Sequence, residues 1–400
     1  MKPLFYSFLI FLFLSACTSN PSTTETQTDG GIEIIDVANA ERYDGTLDAL
    51  IEDIYFVQLE ASEEALFSEA SKVLFAKDEI LVLDKRNNKV LAFDEEGNFL
   101  FKIFQKGNGP GEYKEIFSMA YVGDNNQIIL AAPGKFLWFD MQGDFIREVK
   151  STLPPIYISD MAYVGNSQFA IYPDLHGGVS DDATAMRSFI LDSQANVIAS
   201  YQPFNKAVRT ENSTGMYSHF SASKTPLAVG VYSHNVWKFE SGEAEIAYRF
   251  DFGVDAMPED FIDTYITDPS LTSQRVREII AEKDYWAIYG GALQETDQSI
   301  FFLCSNRKEY QPALYDMQTK KVMTFSSAIK NDRGDKGYLS FFASHDGYFV
   351  TSYNSQLLSG LLDMDKLTAQ QKKMVESIGK EEIPLLWFVK FKKVNEIEMD

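Results

Sequence analysis

The chain has 400 residues, of which 45% are hydrophobic, and it is rich in Phe (31 residues) and Tyr (20 residues). This supply is ample for a large core, and both aromatic types favour pleated, half-buried surfaces. Asp and Glu outnumber Lys and Arg by 58 to 36, so the net charge of -22 argues against nucleic-acid partners, whose phosphates such a surface repels.

The N-terminus is organised like an export signal. Lys2 supplies a positive charge and is followed by an apolar run from Leu4 to Leu14. Because a membrane-spanning helix needs roughly 20 apolar residues, this shorter run predicts a cleaved signal peptide over residues 1–16. The sequence Leu-Ser-Ala-Cys that ends at Cys17 resembles the lipobox of bacterial lipoproteins. That resemblance implies that Cys17 becomes the first mature residue and carries acyl chains such as palmitate; the alternative is an ordinary secretory signal with a chance cysteine.

The next segment, residues 17–31, is predicted to be a flexible tether. It is rich in Ser, Thr, Asn and Gly and has no apolar periodicity, so it would span about 20 Å as a random coil. With Cys17 acylated, Cys304 is the other cysteine of the chain, and no internal disulfide is possible. Because Cys304 ends an apolar run, we expect a buried small hydrophobe; a catalytic thiol is the alternative.

A repeat begins downstream of the tether. Short apolar runs such as Ile80–Asp84 and Val90–Asp94 are joined by turn residues, and an Asp-x-x-Gly turn then leads into another apolar run. An acidic residue at the start of this turn recurs at positions 94, 140, 192, 240 and 316. The first four positions are 46 to 52 residues apart, a period typical of β-propellers with four short strands per blade.

The repeats resemble those of NHL and TolB-like six-bladed propellers and lack the motifs of the Trp-Asp and kelch types. The segment Lys106–Tyr113, Lys-Gly-Asn-Gly-Pro-Gly-Glu-Tyr, is similar to a signature of six-bladed propeller lipoproteins of Bacteroidetes. The resemblance covers Ile54 to Val394 and implies the fold, but it says little about activity.

We therefore predict an all-β fold over residues 32–400, a six-bladed β-propeller with four-stranded blades and small helical insertions near Val276–Ile280 and Thr368–Ile378. The strand Ile54–Leu59 has no other place and is predicted to close the last blade, which removes an open sheet edge. The predicted strands are 71–76, 79–84, 89–94 and 98–104 in blade one; 116–122, 126–132, 135–140 and 144–149 in blade two; 157–164, 167–172, 186–192 and 195–201 in blade three; 217–223, 226–232, 235–240 and 244–252 in blade four; 287–295, 298–304, 311–316 and 320–326 in blade five; and 338–344, 347–353 and 384–392 in blade six.

The two faces of this propeller are expected to differ. Turns between strands one and two, and between three and four, are short, whereas the other face carries long loops, which usually persist for binding or catalysis. We expect the ligand site on this long-loop face, over the channel mouth. The candidate residues favour an anionic or polyhydroxylated ligand, although they can also be scattered solvated residues: Arg86, Asn87, Glu112, His176, Arg209, His234, Arg307, Tyr310 and Arg333.

The sequence contains no complete catalytic motif. Gly107 to Gly111 could cradle a phosphate, but Glu-Tyr follows where a phosphate loop needs Lys-Ser/Thr, so an interblade turn is the better interpretation. The four histidines lack metal-ligand spacing, and no Gly-x-Ser-x-Gly elbow is present. No cofactor is identified, but side chains from separate blades could hold an axial Ca²⁺, as in gluconolactonase-like enzymes.

The sequence thus predicts a lipid-anchored lipoprotein of the bacterial cell envelope, with the outer membrane as the expected location. Its expected role is a propeller binding or interaction module for a carbohydrate, a peptide or a partner protein. The alternative is a propeller enzyme of the lactonase or lyase type with an axial metal.

Overall fold

The computed structural model describes residues 28–29, 31–44, 47–153, 157–174, 186–203, 220–223, 225–230, 233–261, 273–288, 293–306, 308–325, 329–330, 336–337, 340–352, 365, 367–369, 371–373 and 385–397. These residues form a six-bladed β-propeller, which confirms the predicted fold class. Neighbouring strands that follow one another within a blade run antiparallel, and the innermost position lies at the axis.

The first three blades contain strands that lie within two residues of their predicted bounds. Blade one consists of Lys72–Ala76, Glu79–Asp84, Lys89–Asp94 and Phe99–Ile103; blade two of Ser118–Val122, Gln127–Ala132, Lys135–Asp140 and Phe145–Lys150; and blade three of Tyr157–Gly165, Gln168–Asp174, Met186–Leu191 and Val197–Pro203.

The last three blades are less regular. In blade four a single bridge from Phe220 to Ala228 stands at the position of the first strand. The strands are Leu227–Val229, Asn235–Glu240 and Glu243–Asp251 in blade four; Ala287–Ile288 with Gln294–Glu295, Ser299–Ser305, Tyr310–Asp316 and Lys321–Phe325 in blade five; Ala343–His345, Tyr348–Ser352 and Leu385–Phe391 in blade six; and a separate ribbon of Ile329–Lys330 with Lys336–Gly337.

The N-terminal segment, residues 32–58, contributes to all three of these blades. Its last strand, Ile51–Gln58, pairs antiparallel with Leu385–Phe391 and completes blade six, as the sequence predicts. Two shorter strands were not predicted. Ile32–Asp36 runs parallel to the outer strand of blade four, with Thr28–Asp29 paired beside it, and Glu41–Tyr43 runs parallel to the outer strand of blade five.

Ion pairs join the N-terminal segment to blade five. Both carboxylate oxygens of Glu33 accept hydrogen bonds from Lys320 Nζ, at 2.8 and 2.9 Å. The carboxylate of Glu41 lies 2.6 Å from Lys321 Nζ. These groups are partly exposed, so each pair is expected to contribute at most about 1 kcal/mol. These ion pairs therefore fix the register of the N-terminal segment more than they add to the free energy of unfolding.

The Asp-x-x-Gly turns form as the sequence predicts. The Asp94 carboxylate accepts a hydrogen bond from Asn98 N at 2.8 Å, and Gly97 has a φ of 88°. Asp140 accepts from Asp144 N at 2.9 Å, and Gly143 has a φ of 82°. The carboxylate thus replaces water at the turn amide, and glycine adopts a backbone conformation that other residues enter only with strain.

The hydrophobic core lies between neighbouring blades. Middle strands such as Glu79–Asp84 are buried along almost their whole length, because each blade packs on both of its faces. Aromatic rings cross the seams, with Phe136 of blade two 4.9 Å from Phe169 of blade three. Cys304 is fully buried in blade five, which confirms its predicted place in the core.

Helices are few among the described residues. The helix Ser273–Lys283 contains the predicted Val276–Ile280 and buries its residue Ile280. At the second predicted helix, Thr368 Oγ1 accepts from Gln371 N at 3.2 Å and Gln371 Oε1 accepts from Thr368 N at 2.8 Å, a capping box. The rest of that helix lies outside the described residues. Short helices occur at Leu47–Leu50, Gly253–Asp255 and Val394–Glu396, and none of the helices described is long and apolar enough to cross a bilayer.

Candidate functional site

A cavity of about 850 Å³ lies on the propeller axis. Its walls are the first strands of the blades, and its mouth is formed by the turns that connect first and second strands. We call this cavity the axial cup. All six blades contribute to it, as seen from one residue of each: Phe75, Tyr121, Tyr163, Ser223, Asp297 and His345.

Aromatic rings form a large part of the wall of the axial cup. The His345 ring stacks on Phe75 with centroids 4.1 Å apart and planes 16° apart. Burial lowers the pKa of His345 below its ordinary 6.5, so the ring is neutral at pH 7. The Tyr121 hydroxyl donates to Asn126 Oδ1 at 2.7 Å, and the Tyr163 hydroxyl donates to Asp124. These rings are therefore held in place before a ligand arrives.

Carboxylates stand at the mouth of the axial cup. Asp297 and Asp346 are exposed, and they come from the adjacent blades five and six. Glu295 is more enclosed; burial raises its pKa, and its Oε1 accepts from the Tyr248 hydroxyl at 3.2 Å. Two lysines line the axial cup, and all of its lining residues are described. Lys72 is paired with Asp160, so Lys77 is the lining cation that can offset these carboxylates. The mouth is therefore weakly negative.

The floor of the axial cup is a buried ion pair. Lys72 Nζ lies 2.6 Å from Asp160 Oδ1, and the two side chains are 4% and 2% exposed. Asp160 also accepts hydrogen bonds from Ser118 Oγ at 3.0 Å and from the backbone of Phe220 at 2.9 Å. Four blades meet at this carboxylate, because the four residues belong to the first strands of blades one to four. The network is satisfied internally and joins these blades at the axis.

The opposite end of the channel faces the long loops. There Lys85 donates from Nζ to the Ser159 carbonyl at 3.1 Å, and burial lowers the pKa of Lys85. This lysine follows the second strand of blade one, and Lys72 begins the first strand, so both lie at the long-loop end of blade one. The ion pair of Lys72 and Asp160 thus lies at the end of the axial cup that is farthest from its mouth.

Three of the residues predicted from the sequence lie in two–three turns on the long-loop face. Arg86 is exposed, and Asn87 donates from Nδ2 to Asp84 Oδ2 at 2.7 Å, so it stabilises its own turn. His234 is 9% exposed, and its Nε2 lies 2.8 Å from the Met257 carbonyl. Each of these positions thus agrees with the predicted face, but Asn87 and His234 already have local partners.

The glycine-rich segment is an interblade turn between blades one and two, as predicted. Glu112 Oε2 accepts from Gly109 N at 2.7 Å, so its carboxylate is folded into its own loop. Tyr113 is 2% exposed, and its hydroxyl donates to the Ile103 carbonyl at 3.1 Å. The segment thus closes on itself and uses its polar groups internally.

Of the remaining predicted site residues, the structure describes Tyr310 alone. Tyr310 is half-buried at the start of the third strand of blade five. Cys17, His176, Arg209, Arg307 and Arg333 lie outside the described residues. A ligand site on the long-loop face therefore stays a prediction.

The described residues contain neither a metal-ligand cluster nor an accessible thiol. Within the described parts of the chain, no group of three or more His, Cys, Asp and Glu side chains could hold a metal ion. Burial raises the pKa of Cys304 to about 12, and its Sγ donates to the Gln311 carbonyl at 3.2 Å. At neutral pH this thiol is protonated and inaccessible, unlike a catalytic nucleophile.

Sequence reasoning missed the axial cup, although one signal was present. Lys72 and Asp160 interrupt otherwise apolar first strands, and a buried charge in such a strand needs a partner. The aromatic residues gave no such signal, because Phe75, Tyr121 and Tyr163 look like ordinary strand residues. They become neighbours of one cavity only when the ring closes.

One solved structure with a TM-score above 0.5 supports the fold, and a second alignment is weaker. A protein of Bacteroides fragilis NCTC 9343 described as exported aligns with 90% of this chain and 100% of its own, at 19% identity and a TM-score of 0.71. A member of the DUF4221 family from Bacteroides vulgatus ATCC 8482 aligns with 86% of this chain and 98% of its own, at 10% identity and a TM-score of 0.47. No curated protein matches the chain.

Family comparison gives a more specific result. The model of the family described as "Domain of unknown function (DUF4934)" matches residues 32–390, which is nearly the whole propeller. The finer resemblance to NHL and TolB-like propellers stays a prediction, since the comparisons support six blades without either family. The chain belongs to the family described as Domain of unknown function (DUF4934).

Proposed function

We propose that this protein is a binding module of the cell envelope whose ligand occupies the axial cup. The observation that carries the proposal is that all six blades line one open cavity of about 850 Å³. This volume lies within the range of small-molecule sites, which combine apolar walls with a few polar groups. The rings and carboxylates of the axial cup are such a combination.

The position in the envelope is supported by two observations. The apolar run before Cys17 has the length of a signal peptide, and its last residues resemble a lipobox. The Bacteroides fragilis protein of similar fold is described as exported. We therefore propose that the mature chain begins at Cys17, is held by acyl chains, and carries the propeller on the tether of residues 17–31.

The axial cup is preferred to the long-loop face because its aromatic and charged residues converge on one cavity. On the long-loop face, Asn87 and His234 are engaged in local hydrogen bonds. The enzyme alternative would need an axial metal, and at the floor of the axial cup the Asp160 carboxylate is paired with Lys72 instead. No observation on the described residues favours lactonase or lyase chemistry, so we do not propose it.

Cup variants test the proposal. Purified protein would be incubated with a soluble extract of the cell envelope, washed, and examined by native mass spectrometry for a bound small molecule. We expect the adduct in the wild type and its loss in the double variant Tyr121→Ala, Tyr163→Ala. Tyr157→Ala is the matched control, because Tyr157 is 39% exposed and lies at the opposite end of the first strand of blade three.

The control also separates the two faces. An adduct that survives in the double variant and disappears with Tyr157→Ala would place the ligand on the long-loop face. Anchoring is tested separately: replacement of Cys17 by Ser should abolish incorporation of labelled palmitate and release the protein from the membrane fraction. Continued incorporation would contradict the lipid anchor at Cys17.

A further inference from the structure

The proposed use of the axial cup allows its ligand class to be specified. Resting on that proposal, we infer that the axial cup binds a neutral or amine-bearing oligosaccharide. Three properties of the lining lead to this class: its flat aromatic surfaces, its mixture of hydrogen-bonding groups, and the sign of its charge.

The aromatic surfaces suit the apolar faces of sugar rings. The stacked rings of Phe75 and His345 form one rigid flat element, and Phe75 is further fixed against Phe388 with centroids 5.7 Å apart. The hydroxyls of Tyr121 and Tyr163 are hydrogen-bonded within the protein, so these residues offer a ligand mainly ring surface. Rigid aromatic side chains provide contact area at a low cost in conformational entropy.

The hydrogen-bonding groups suit hydroxyls. Asp297 and Asp346 are acceptors. The lining hydroxyls are already engaged, since Ser223 Oγ donates to the Thr225 carbonyl at 2.7 Å and Thr296 Oγ1 accepts from Ser299 N at 3.1 Å. Lys77 adds a donor at the mouth. A purely apolar ligand would displace water from the two carboxylates and from Lys77 without replacing its hydrogen bonds, and an unpaired polar group is costly once water is excluded. Acceptors and a donor beside flat rings match a polyhydroxylated ring.

The charge of the lining excludes acidic sugars. Asp297 and Asp346 are exposed carboxylates, whereas Lys72 is paired with Asp160 and the buried His345 ring is neutral at pH 7. A uronate, sulfate or phosphate would therefore meet more negative than positive charge. An amine-bearing sugar would be attracted to the same carboxylates. The volume of the cavity exceeds the needs of a single sugar ring, which favours a short oligosaccharide.

Isothermal titration with three trimeric probes tests the inference: N-acetylated chitotriose, its fully deacetylated form, and trigalacturonic acid. We expect the two chitotrioses to bind and trigalacturonic acid to bind at least about tenfold more weakly. Tyr121→Ala is expected to weaken both chitotrioses about tenfold. Asp297→Asn with Asp346→Asn should weaken the deacetylated probe selectively. Asp260→Asn, an exposed carboxylate outside the axial cup, is the control and should change neither.

The other outcomes are distinguishable. Tighter binding of trigalacturonic acid, or no binding of either chitotriose at millimolar concentration, would overturn the saccharide class. If a tetralysine peptide bound instead and Tyr121→Ala weakened it, the axial cup would stand as the site and only the class would fall. If the chitotrioses bound equally to wild type and Tyr121→Ala, the axial cup itself would be the wrong site.

Discussion

Replacing Lys72 by Met and Asp160 by Asn, singly and together, measures how the axial ion pair contributes to stability. Both side chains are almost completely buried, at 4% and 2% exposure, and Lys72 Nζ also donates to the Met161 carbonyl at 2.5 Å. In the Lys72→Met variant, Asp160 remains as a buried carboxylate without its counter-ion. It keeps the hydrogen bonds from Ser118 and from the backbone of Phe220.

The size of the effect follows from this geometry. Removing one partner of a buried pair costs about 3–5 kcal/mol. Because Asp160 keeps its other donors, we expect a loss near the lower limit, about 3 kcal/mol, for Lys72→Met. The reverse change, Asp160→Asn, leaves an ammonium with little solvation and should cost a similar amount. In the double variant neither charge remains, so we expect the free energy of unfolding to fall by about 3 kcal/mol in total. The two single losses together exceed this value by about 3 kcal/mol, which is the expected coupling free energy.

Urea unfolding followed by tryptophan fluorescence is the assay, with equal m-values required before the free energies of unfolding are compared. The matched control is the exposed pair of Arg275 and Glu278, 3.2 Å apart with 44% and 48% of their side chains exposed. Its coupling should stay below about 0.5 kcal/mol. A coupling of less than about 1 kcal/mol for Lys72 and Asp160 would refute the reasoning, since the axial pair would then behave like a surface pair.

Three further results are expected. In urea unfolding, Gly97→Ala should lower the free energy of unfolding by at least about 1 kcal/mol more than Gly134→Ala. Both glycines have positive φ, but a Cβ at Gly97 would lie 2.2 Å from the carbonyl oxygen of Gln58, whereas a Cβ at Gly134 would meet open space. Equal losses of unfolding free energy would contradict this contact. Burial lowers the pKa of His345 below 6.5, so the folded state disfavours protonation of this ring. The thermal midpoint should therefore fall more steeply below pH 6.5 in the wild type than in His345→Phe. Parallel pH profiles of the two proteins would contradict a lowered pKa at His345. The Cys304 thiol, with a pKa of about 12, should react with iodoacetamide at pH 8 only after unfolding, and labelling of the native protein would show that the site opens.

The blades could be predicted from sequence because their information is local. An apolar run, an Asp-x-x-Gly turn and a second apolar run define the outer hairpins of blades one and two without reference to the rest of the chain. In blade one the turn at Asp94 and Gly97 has the expected hydrogen bonds, and the strands on either side fall within a residue of their predicted bounds. The closure of blade six followed from counting, since three strands at the C-terminus needed a fourth.

The parallel strands could not be predicted, because their information is distant. Ile32–Asp36 and Glu41–Tyr43 are short and only partly buried, so their own pattern is weak. What fixes them lies far along the chain: Glu33 is bound by Lys320, and Glu41 by Lys321. Pairing between segments so far apart in sequence produces no recognisable hydrophobic periodicity in either segment.

The axial cup was missed for a different physical reason. A propeller places the first strand of every blade at one axis, so residues about one blade apart in sequence become neighbours across the channel. Phe75, Tyr121 and Tyr163 occupy such positions, but the sequence alone does not show which way a strand residue points. A one-residue error in register would have turned each of them away from the axis.

The N-terminal segment connects the proposed anchor to the stability of the ring. With no internal disulfide, the ring is held shut by one strand, in which Tyr55 stacks on Phe388 at 4.4 Å and Glu52 pairs with Lys390 across 338 positions of sequence. The proposed tether from Cys17 would enter the structure at the strands Thr28–Asp29 and Ile32–Asp36 beside blade four, not at this closure in blade six. Tension on the anchor would therefore act first on the parallel strands at blades four and five, and both would have to detach before the closing strand is loaded. If the proposed anchor at Cys17 is present, the two strands that sequence analysis missed are thus placed where they shield the closure of the propeller from tension on it.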